Sequence, residues 1–184
     1  MSIKVFGHKS PDTDSVISAI AAAYLLDGEP FVQGDLNRET RFVLEKFALA
    51  APKRLESVAG ESIALVDTSD PLHLPADIGD ADIKYVFDHH NLGGIKTKGP
   101  FEGWFMPVGS TAAILFDYAK SKGVAIPADI AGAMAMAVIS DTVLFKSPTT
   151  TGHDRRAVEE LSEIAGIDYE KLGMEMLVVK SSIE

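Results

Sequence analysis

Residues 3–26 read IKVFGHKSPDTDSVISAIAAAYLL, a short apolar run followed by a polar segment and a longer apolar run. The first run, from Ile3 to Phe6, is typical of a buried strand and stops at Gly7. From Ser15 to Leu26 the apolar residues follow the spacing of a helix. The polar segment between the two runs therefore lies where the chain passes from a strand into a helix.

The same alternation continues along the chain from this first unit. Because strands that alternate with helices form right-handed βαβ units, the sequence predicts an α/β fold with a mainly parallel sheet flanked by helices. The residue before the second helix, Asn37, suits a helix cap, and Pro107 suits the end of a strand better than its middle. Further strands are predicted at 30–32, 62–66, 83–87 and 104–108, and further helices at 38–49, 110–119, 130–139, 151–165 and 169–179.

The composition describes one folded domain with an acidic surface. The chain has 184 residues, of which 46% are hydrophobic, no cysteine, and a formal net charge of −10. No apolar run approaches the ~18–20 residues that a membrane span needs, and the first residues lack the features of a secretory signal. Acidity disfavours nucleic acid, whose binding depends on neutralising phosphates. We therefore expect a cytoplasmic protein with neither a membrane nor a nucleic acid as its partner.

Acidic and imidazole residues follow the ends of three predicted strands, and one more lies at the end of the predicted helix 130–139. In an open parallel sheet, ligands bind outside the carboxyl ends of the strands, so we expect these side chains to lie near one another. In chain order the set is His8, Asp12, Asp14, Asp67, Asp88, His89, His90 and Asp141.

Single members of this set also have ordinary structural interpretations. Asp14 or Ser15 is suited to cap the first helix, and capping is the preferred interpretation of Ser15. Asp67 is suited to a turn after a strand, and Asp141 to the end of a helix. Independent caps and turns, however, give no reason for three such groups to follow buried strands.

The chemistry of the set favours divalent cations. Carboxylates brought close together repel one another, and a divalent cation removes that conflict. Oxygen and imidazole ligands without thiolate suit Mn²⁺ or Co²⁺, with Fe²⁺ and Zn²⁺ as alternatives and Mg²⁺ alone less suited. Four aspartates and two histidines exceed the needs of one ion and suit two ions about 3.5–4 Å apart that share a carboxylate. Such a pair is typical of phosphoryl hydrolysis.

Several segments, in their order along the chain, resemble the DHH phosphoesterase superfamily. They are GHKSPDTDSV (7–16), DHH (88–90) and ISDTVLFKSPT (139–149), and within the superfamily they are most similar to the family II, manganese-dependent inorganic pyrophosphatases. PVGSTA (107–112) and EIAGID (163–168) fit that family too. The DHH triplet alone is weak evidence for the family. The segments together, in this order, are specific to it, and the resemblance extends over essentially the whole chain.

The resemblance implies an activity, cofactors and a partner. The activity is the hydrolysis of pyrophosphate to two phosphates by a water molecule that two metal ions activate. The ions are Mn²⁺ or Co²⁺, and Mg²⁺ can enter with the substrate. The resemblance also implies a homodimer formed through this domain, for which the pairing of an exposed edge strand is a suitable means.

The resemblance also gives each residue of the set a role. His90 resembles a histidine that contacts the substrate and protonates the leaving phosphate, and Asp88 would orient an imidazole. The implied ligands are His8 and Asp12 for one ion, Asp14, His89 and Asp141 for the other, and Asp67 as the carboxylate that bridges both.

Two departures from the family pattern keep other functions open. Thr68 and Ser69 follow Asp67, where family members often have His-Asn. Residues 1–184 resemble the metal-binding N-terminal domain without the C-terminal domain whose basic motif binds the substrate phosphates, so we expect this chain to be weakly active alone. The alternatives are another DHH phosphoesterase that acts on nucleotides or single-stranded nucleic acid, and a non-catalytic module that binds metal and dimerises.

Overall fold

The computed structural model describes residues 2–182, and within them the chain forms six strands and six α-helices. Short 3-10 turns at Pro71–His73 and Ile78–Asp80 lie in the connection between the fourth and fifth strands. In chain order the elements are β1 (Lys4–Phe6), α1 (Thr13–Leu26), β2 (Glu29–Val32), α2 (Arg38–Lys46), β3 (Lys53–Arg54), β4 (Ser62–Val66), β5 (Asp82–Asp88), β6 (Glu102–Phe105), α3 (Thr111–Lys122), α4 (Ala128–Thr142), α5 (Gly152–Ala165) and α6 (Tyr169–Ser181).

The strands of the described residues form one sheet in the order β3-β2-β1-β4-β5-β6, and every pairing is parallel. The predicted α/β fold with a parallel sheet is therefore confirmed. The order reverses between β1 and β4, because β2 and β3 extend the sheet to one side and β4, β5 and β6 extend it to the other. Such a reversal leaves a crevice at the carboxyl ends of the central strands, where α/β proteins bind ligands.

The two faces of the sheet are covered differently. Val5, Val66 and Phe87 belong to a large core to which all six α-helices contribute buried side chains. Phe6 and Leu65, one residue along their strands, belong to a smaller core on the other face, which loops and 3-10 turns cover. This follows from the alternation of side chains along a strand. No helix within residues 2–182 is long and apolar enough to cross a membrane.

Helix α4 lies at the centre of the helical layer. Its apolar residues surround the whole helix, which predicts a buried element, and Met134 and Met136 are fully buried. The helix packs against α1, α3, α5 and α6. The end of α4, which carries Asp141, is therefore held firmly beside the carboxyl edge of the sheet.

The last strand differs from its predicted bounds of 104–108. Strand β6 covers Glu102–Phe105 and pairs with β5 through positions such as Trp104 opposite Phe87. Pro107 has no N–H to donate to a sheet, and it lies beyond the strand. Among the described residues β6 pairs with a strand on one side only. It is thus an edge that a second chain could extend, and the homodimer stays a prediction.

Candidate metal centre

The turn from β1 into α1 places the first group of polar side chains. Asp12, and not Asp14 or Ser15, caps α1: its side chain accepts a hydrogen bond from the Ser15 N–H at 2.9 Å. The preferred interpretation of Ser15 as a cap is therefore wrong. Its hydroxyl lies against Gly7, where an added Cβ would be 1.9 Å from Ser15 Oγ. A glycine is needed there because the helix starts so close to the strand.

Asp67 lies at the centre of the candidate site. It follows β4 directly, is 2% exposed, and adopts a left-handed backbone with φ of 63°, which aspartate tolerates better than most residues. Its two carboxylate oxygens face different histidines. Oδ1 lies 3.1 Å from Nε2 of His89, and Oδ2 lies 3.2 Å from Nε2 of His8. One carboxylate therefore connects the end of β1 with the end of β5.

Backbone carbonyl groups orient both of these imidazole rings. Nδ1 of His8 lies 2.7 Å from the carbonyl oxygen of Lys9, and Nδ1 of His89 lies 3.0 Å from that of Val108. A carbonyl oxygen can only accept, so each Nδ1 carries a proton and donates it. Each Nε2 then faces carboxylates, and it is the ring nitrogen that can bind a metal ion once it has lost its proton.

Asp14 and Asp141 complete the inner side of the cluster. Asp14 is fully buried, and both of its oxygens accept hydrogen bonds at the start of α3, including one from the Thr111 N–H at 2.9 Å. Asp14 Oδ2 and Asp141 Oδ2 lie 3.7 and 3.5 Å from Nε2 of His89. Nε2 of His89 therefore faces the carboxylates of both Asp14 and Asp141.

The chain leaves Asp141 through an unusual turn. Val143, Leu144 and Phe145 all have positive φ, between 49° and 67°, although none is glycine. Left-handed backbone at such residues costs about 1–2 kcal/mol each and is concentrated near functional sites. The Thr142 hydroxyl lies 3.3 Å from the Phe145 nitrogen, and a backbone bond of 2.8 Å joins Ser147 N to Thr142 O. These hydrogen bonds stabilise the turn that follows Asp141 at the end of α4.

Donor atoms from the six predicted ligands gather into two groups with Asp67 in common, and a third group joins Asp67 and His89 to His90. In each group one donor atom per residue lies within 4.8 Å of the others, a spacing that a single cation could coordinate. The hard oxygens and oriented imidazole nitrogens also suit the ions predicted from the sequence. The two groups of predicted ligands are His8, Asp12 and Asp67, and Asp14, Asp67, His89 and Asp141.

His90 and Asp88 form a separate pair on the outer side of the cluster. Asp88 is fully buried and accepts hydrogen bonds from Nδ1 and from the backbone N–H of His90, at 2.7 and 3.2 Å. The hydrogen bond to Asp88 raises the pKa of His90 above its ordinary value. The His90 side chain is 50% exposed, so its ring can reach a bound molecule. Its Nδ1 also lies 3.8 Å from Asp67.

The histidines of the cluster hold protons tightly in the metal-free protein. Burial would lower the pKa of His8, but hydrogen bonds with Asp12 and Asp67 raise it to about 11. Burial would also lower the pKa of His89, but the hydrogen bond with Asp67 and the charge of Asp14 raise it to about 9. Each imidazolium thus stands where a cation would otherwise neutralise the carboxylates.

The pKa values of the buried aspartates in the cluster are shifted in opposite directions. Burial raises the pKa of Asp14, and the negative charge of Asp67 raises it further. Burial and the charges of Asp14 and Asp67 raise that of Asp141. Burial would raise the pKa of Asp67 too, but hydrogen bonds from both histidines bring it below its usual range. Without metal, protons therefore relieve the repulsion among the carboxylates.

The metal-free protein is expected to lose stability as the pH rises from 6.5 to above 9. His8 and His89 have folded pKa values of about 11 and 9, above the unfolded value of 6.5. The native state binds more protons than the unfolded state in this window, so the free energy of unfolding falls with pH. The measurement is the melting temperature in EDTA at several pH values. The raised pKa values of Asp14 and Asp141 add to this fall, so the variant His8→Gln/His89→Gln should show a smaller fall, and an equal fall would contradict the assignment to the histidines.

A cavity of about 470 Å³ opens on the exposed side of the cluster. Its lining includes His8, Asp67 and His90, together with Lys9 and the partly exposed His73. A larger groove of about 760 Å³ adjoins it near Lys9 but contains none of the six predicted ligands. We place the candidate substrate site in the smaller cavity, because the reactive side chains line it.

The structure also shows residues of the site that the sequence patterns do not predict. Thr111 Oγ1 donates to Asp67 at 3.1 Å, and Ser110 Oγ donates to Asp14 at 2.7 Å. Ser69, in the pair that departs from the family pattern, is buried and accepts a hydrogen bond from Gly93 N at 2.8 Å. These contacts join residues far apart in sequence, so no local spacing could have indicated them.

Curated proteins of known name are similar to this chain in sequence. The manganese-dependent inorganic pyrophosphatase of Methanothrix thermoacetophila is 45% identical over 189 residues, covering 100% of this chain and 61% of the relative. The enzyme of that name from Methanocaldococcus jannaschii is 44% identical, covering 97% of this chain and 61% of the relative. The chain thus spans about three fifths of the length of the curated relatives it matches.

Solved structures agree with the fold. A protein from Methanococcus jannaschii assigned to the family II inorganic pyrophosphatases has a TM-score of 0.92 at 42% identity, covering 97% of this chain and 62% of that one. An exopolyphosphatase-related protein from Bacteroides fragilis, with a TM-score of 0.76 at 15% identity, shares the fold alone. The model of the DHH family, N-terminal domain, matches residues 2–138. With this match over most of its length, the chain belongs to the DHH family.

Proposed function

We propose that this chain holds two Mn²⁺ ions for the hydrolysis of inorganic pyrophosphate. The observation that carries the proposal is the position of Asp67, whose two oxygens face His8 on one side and His89 on the other. Each histidine belongs to a separate donor group, and Asp67 belongs to both. A shared carboxylate is typical of paired ions in phosphoryl hydrolases. The manganese-dependent pyrophosphatases among the relatives support the choice of ion and substrate.

The proposed ligands divide between the two ions as the donor groups do. The first ion would be held by His8, Asp12 and Asp67. The second would be held by Asp14, His89, Asp141 and the same Asp67. When bound, the ions would lower the pKa of water and offset the charge of the phosphoryl oxygens.

His90 would act on the substrate directly, and Asp88 would act through His90. The ring of His90 borders the cavity, and its Nδ1–H donates to Asp88, so Nε2 is the atom available to a phosphate oxygen. With its raised pKa, His90 carries a proton more often than a free histidine and can donate it to the leaving phosphate. The buried carboxylate of Asp88 keeps the ring in that orientation.

We also propose that tight substrate binding requires cationic groups beyond those near this cluster. Pyrophosphate carries several negative charges, and the chain has a net charge of −10. Lys9 is the one lysine or arginine among the described residues that line the cavity, and its side chain is exposed. An exposed lysine orients a phosphate weakly, although orientation can contribute ~7–11 kcal/mol to lowering a barrier. Turnover by this chain alone should therefore be low.

Phosphate release from pyrophosphate, with and without Mn²⁺, tests the proposed function. We expect Mn²⁺-dependent release, and no comparable hydrolysis of short oligonucleotides or nucleotides under the same conditions. Preferential hydrolysis of nucleotides would instead assign the chain to another activity of the DHH phosphoesterases. Calorimetric binding of Mn²⁺ with no hydrolysis of any substrate would favour a non-catalytic metal-binding module.

A further inference from the structure

Glu39 is a buried carboxylate outside both donor groups. It lies in the first turn of α2, and only 2% of it is exposed. A buried carboxylate is costly unless it is hydrogen-bonded, so its partners indicate what it stabilises. Oε1 accepts hydrogen bonds from the hydroxyl groups of Thr13 and Ser140, the latter at 2.6 Å. These partners are 26 and 101 residues away from Glu39 in sequence.

Both partners are neighbours of proposed metal ligands. Thr13 lies between Asp12 and Asp14 at the start of α1, and Ser140 immediately precedes Asp141 at the end of α4. A single carboxylate oxygen of Glu39 therefore joins the backbone segments that carry Asp14 and Asp141.

The direction of the hydrogen bonds follows from the carboxylate. An ionised carboxylate only accepts, so Thr13 and Ser140 must both donate to Glu39. Thr13 Oγ1 also lies 3.0 Å from Thr40 Oγ1, and Thr40 must then donate to Thr13. The start of α2 also favours a negative charge, because the positive end of the helix dipole lies there. The hydroxyl groups of the network thus converge on the Glu39 carboxyl group as their acceptor.

The second oxygen of Glu39 has a weaker contact. Among the described residues Oε2 accepts no hydrogen bond, and Nζ of Lys180, in the last turn of α6, lies 3.7 Å away. The lysine side chain is 53% exposed, so solvent screens this ion pair. The position of Glu39 is consequently set by its two hydroxyl partners more than by Lys180.

We propose that Glu39 is a positioning residue that holds the segments of Asp14 and Asp141 together as one metal site. The role rests on the proposed two-metal function. Asp14 and Asp141 would repel each other when ionised, so a fixed link between their segments keeps the site formed before the ion arrives. The site of His8 and Asp12 touches this network through one segment only, and should depend on it less.

The test measures the affinity of each site by Mn²⁺ calorimetry in backgrounds where one site is removed. His8→Ala leaves the site of Asp14, His89 and Asp141, and Asp141→Ala leaves the other. Adding Glu39→Met, which has a similar volume but no acceptor, should weaken Mn²⁺ binding at least tenfold in the first background and less than threefold in the second. Glu39→Gln, which keeps an acceptor for both hydroxyl groups, should restore the affinity to within threefold.

Further variants separate positioning from loss of stability. Leu44→Ala removes a buried side chain from the same helix that takes no part in the hydrogen bonds of Glu39, and it should leave both affinities within threefold. Ser140→Ala removes one of the two links, so it remains informative if Glu39→Met fails to fold. It should weaken the same site at least threefold and change the visible absorption of bound Co²⁺.

Two results would contradict the role of Glu39. One is an unchanged affinity in both Glu39→Met and Ser140→Ala. The other is an equal loss at both metal sites. Failure of the unmutated chain to bind two Mn²⁺ ions would instead contradict the proposed function itself, so the two failures are distinguishable.

Discussion

The substitution Asp67→Ala should abolish the binding of both Mn²⁺ ions at micromolar concentrations, and with it any Mn²⁺-dependent hydrolysis of pyrophosphate. The reason is that Asp67 is the one residue common to both donor groups, with one oxygen near His8 and the other near His89. Removing any other proposed ligand affects one group directly. Calorimetry with Mn²⁺, followed by a phosphate-release assay at saturating metal, measures both effects.

The matched control for this variant is Asp82→Ala. Asp82 begins β5, at the opposite end of the strand from the candidate site, and its removal changes the net charge equally. This variant should bind two ions as the unmutated chain does. If Asp67→Ala also retained two-site binding with unchanged affinity, Asp67 would not be the shared ligand.

The substitution His90→Gln should lower the turnover of pyrophosphate by about 10²–10⁴-fold, the usual contribution of a positioned general acid. Mn²⁺ affinity should change little, because the proposed ligands do not include His90. Since Asp88 raises the pKa of His90, the unmutated chain should lose activity as the pH rises above that pKa and His90 loses its proton. The variant should lack this loss. The measurement is kcat as a function of pH, with metal binding determined in parallel.

His153→Gln provides the control for the loss of a histidine as such. His153 lies in α5, with Nε2 2.6 Å from Asp117, and is not among the residues that line the candidate cavity. Its turnover should remain within threefold of that of the unmutated chain. A similar decrease in both variants, or a loss of Mn²⁺ binding in His90→Gln, would contradict a direct role of His90 in proton transfer.

The fold was largely predictable because its signals are local. Apolar runs of strand length alternate with helical spacing, and most observed elements begin or end within two or three residues of the predicted positions. The displaced β6 and the unpredicted β3 show where such patterns are weakest. Lys53 and Arg54 form a two-residue, exposed edge strand, which no apolar pattern could indicate.

The sequence by itself determined which side chains gather at the candidate site. Polar residues that directly follow buried strands must reach the same edge of a parallel sheet, and this rule alone brings His8, Asp67 and His89 together. Their chemistry, carboxylate and imidazole without thiolate, also indicated hard or intermediate divalent cations. The resemblance to a known family then suggested a role for each residue.

Only the tertiary structure decided how these side chains are oriented and supported. The distant carbonyl of Val108 accepts from Nδ1 of His89, the start of α3 donates to Asp14, and Glu39 accepts a hydrogen bond from Ser140, 101 residues away. These contacts depend on strand order and helix packing, which bring together positions that no helical or strand periodicity in the sequence relates. Local patterns specify elements and their polar ends, whereas the hydrogen bonds that shape a site are satisfied only after those elements have packed.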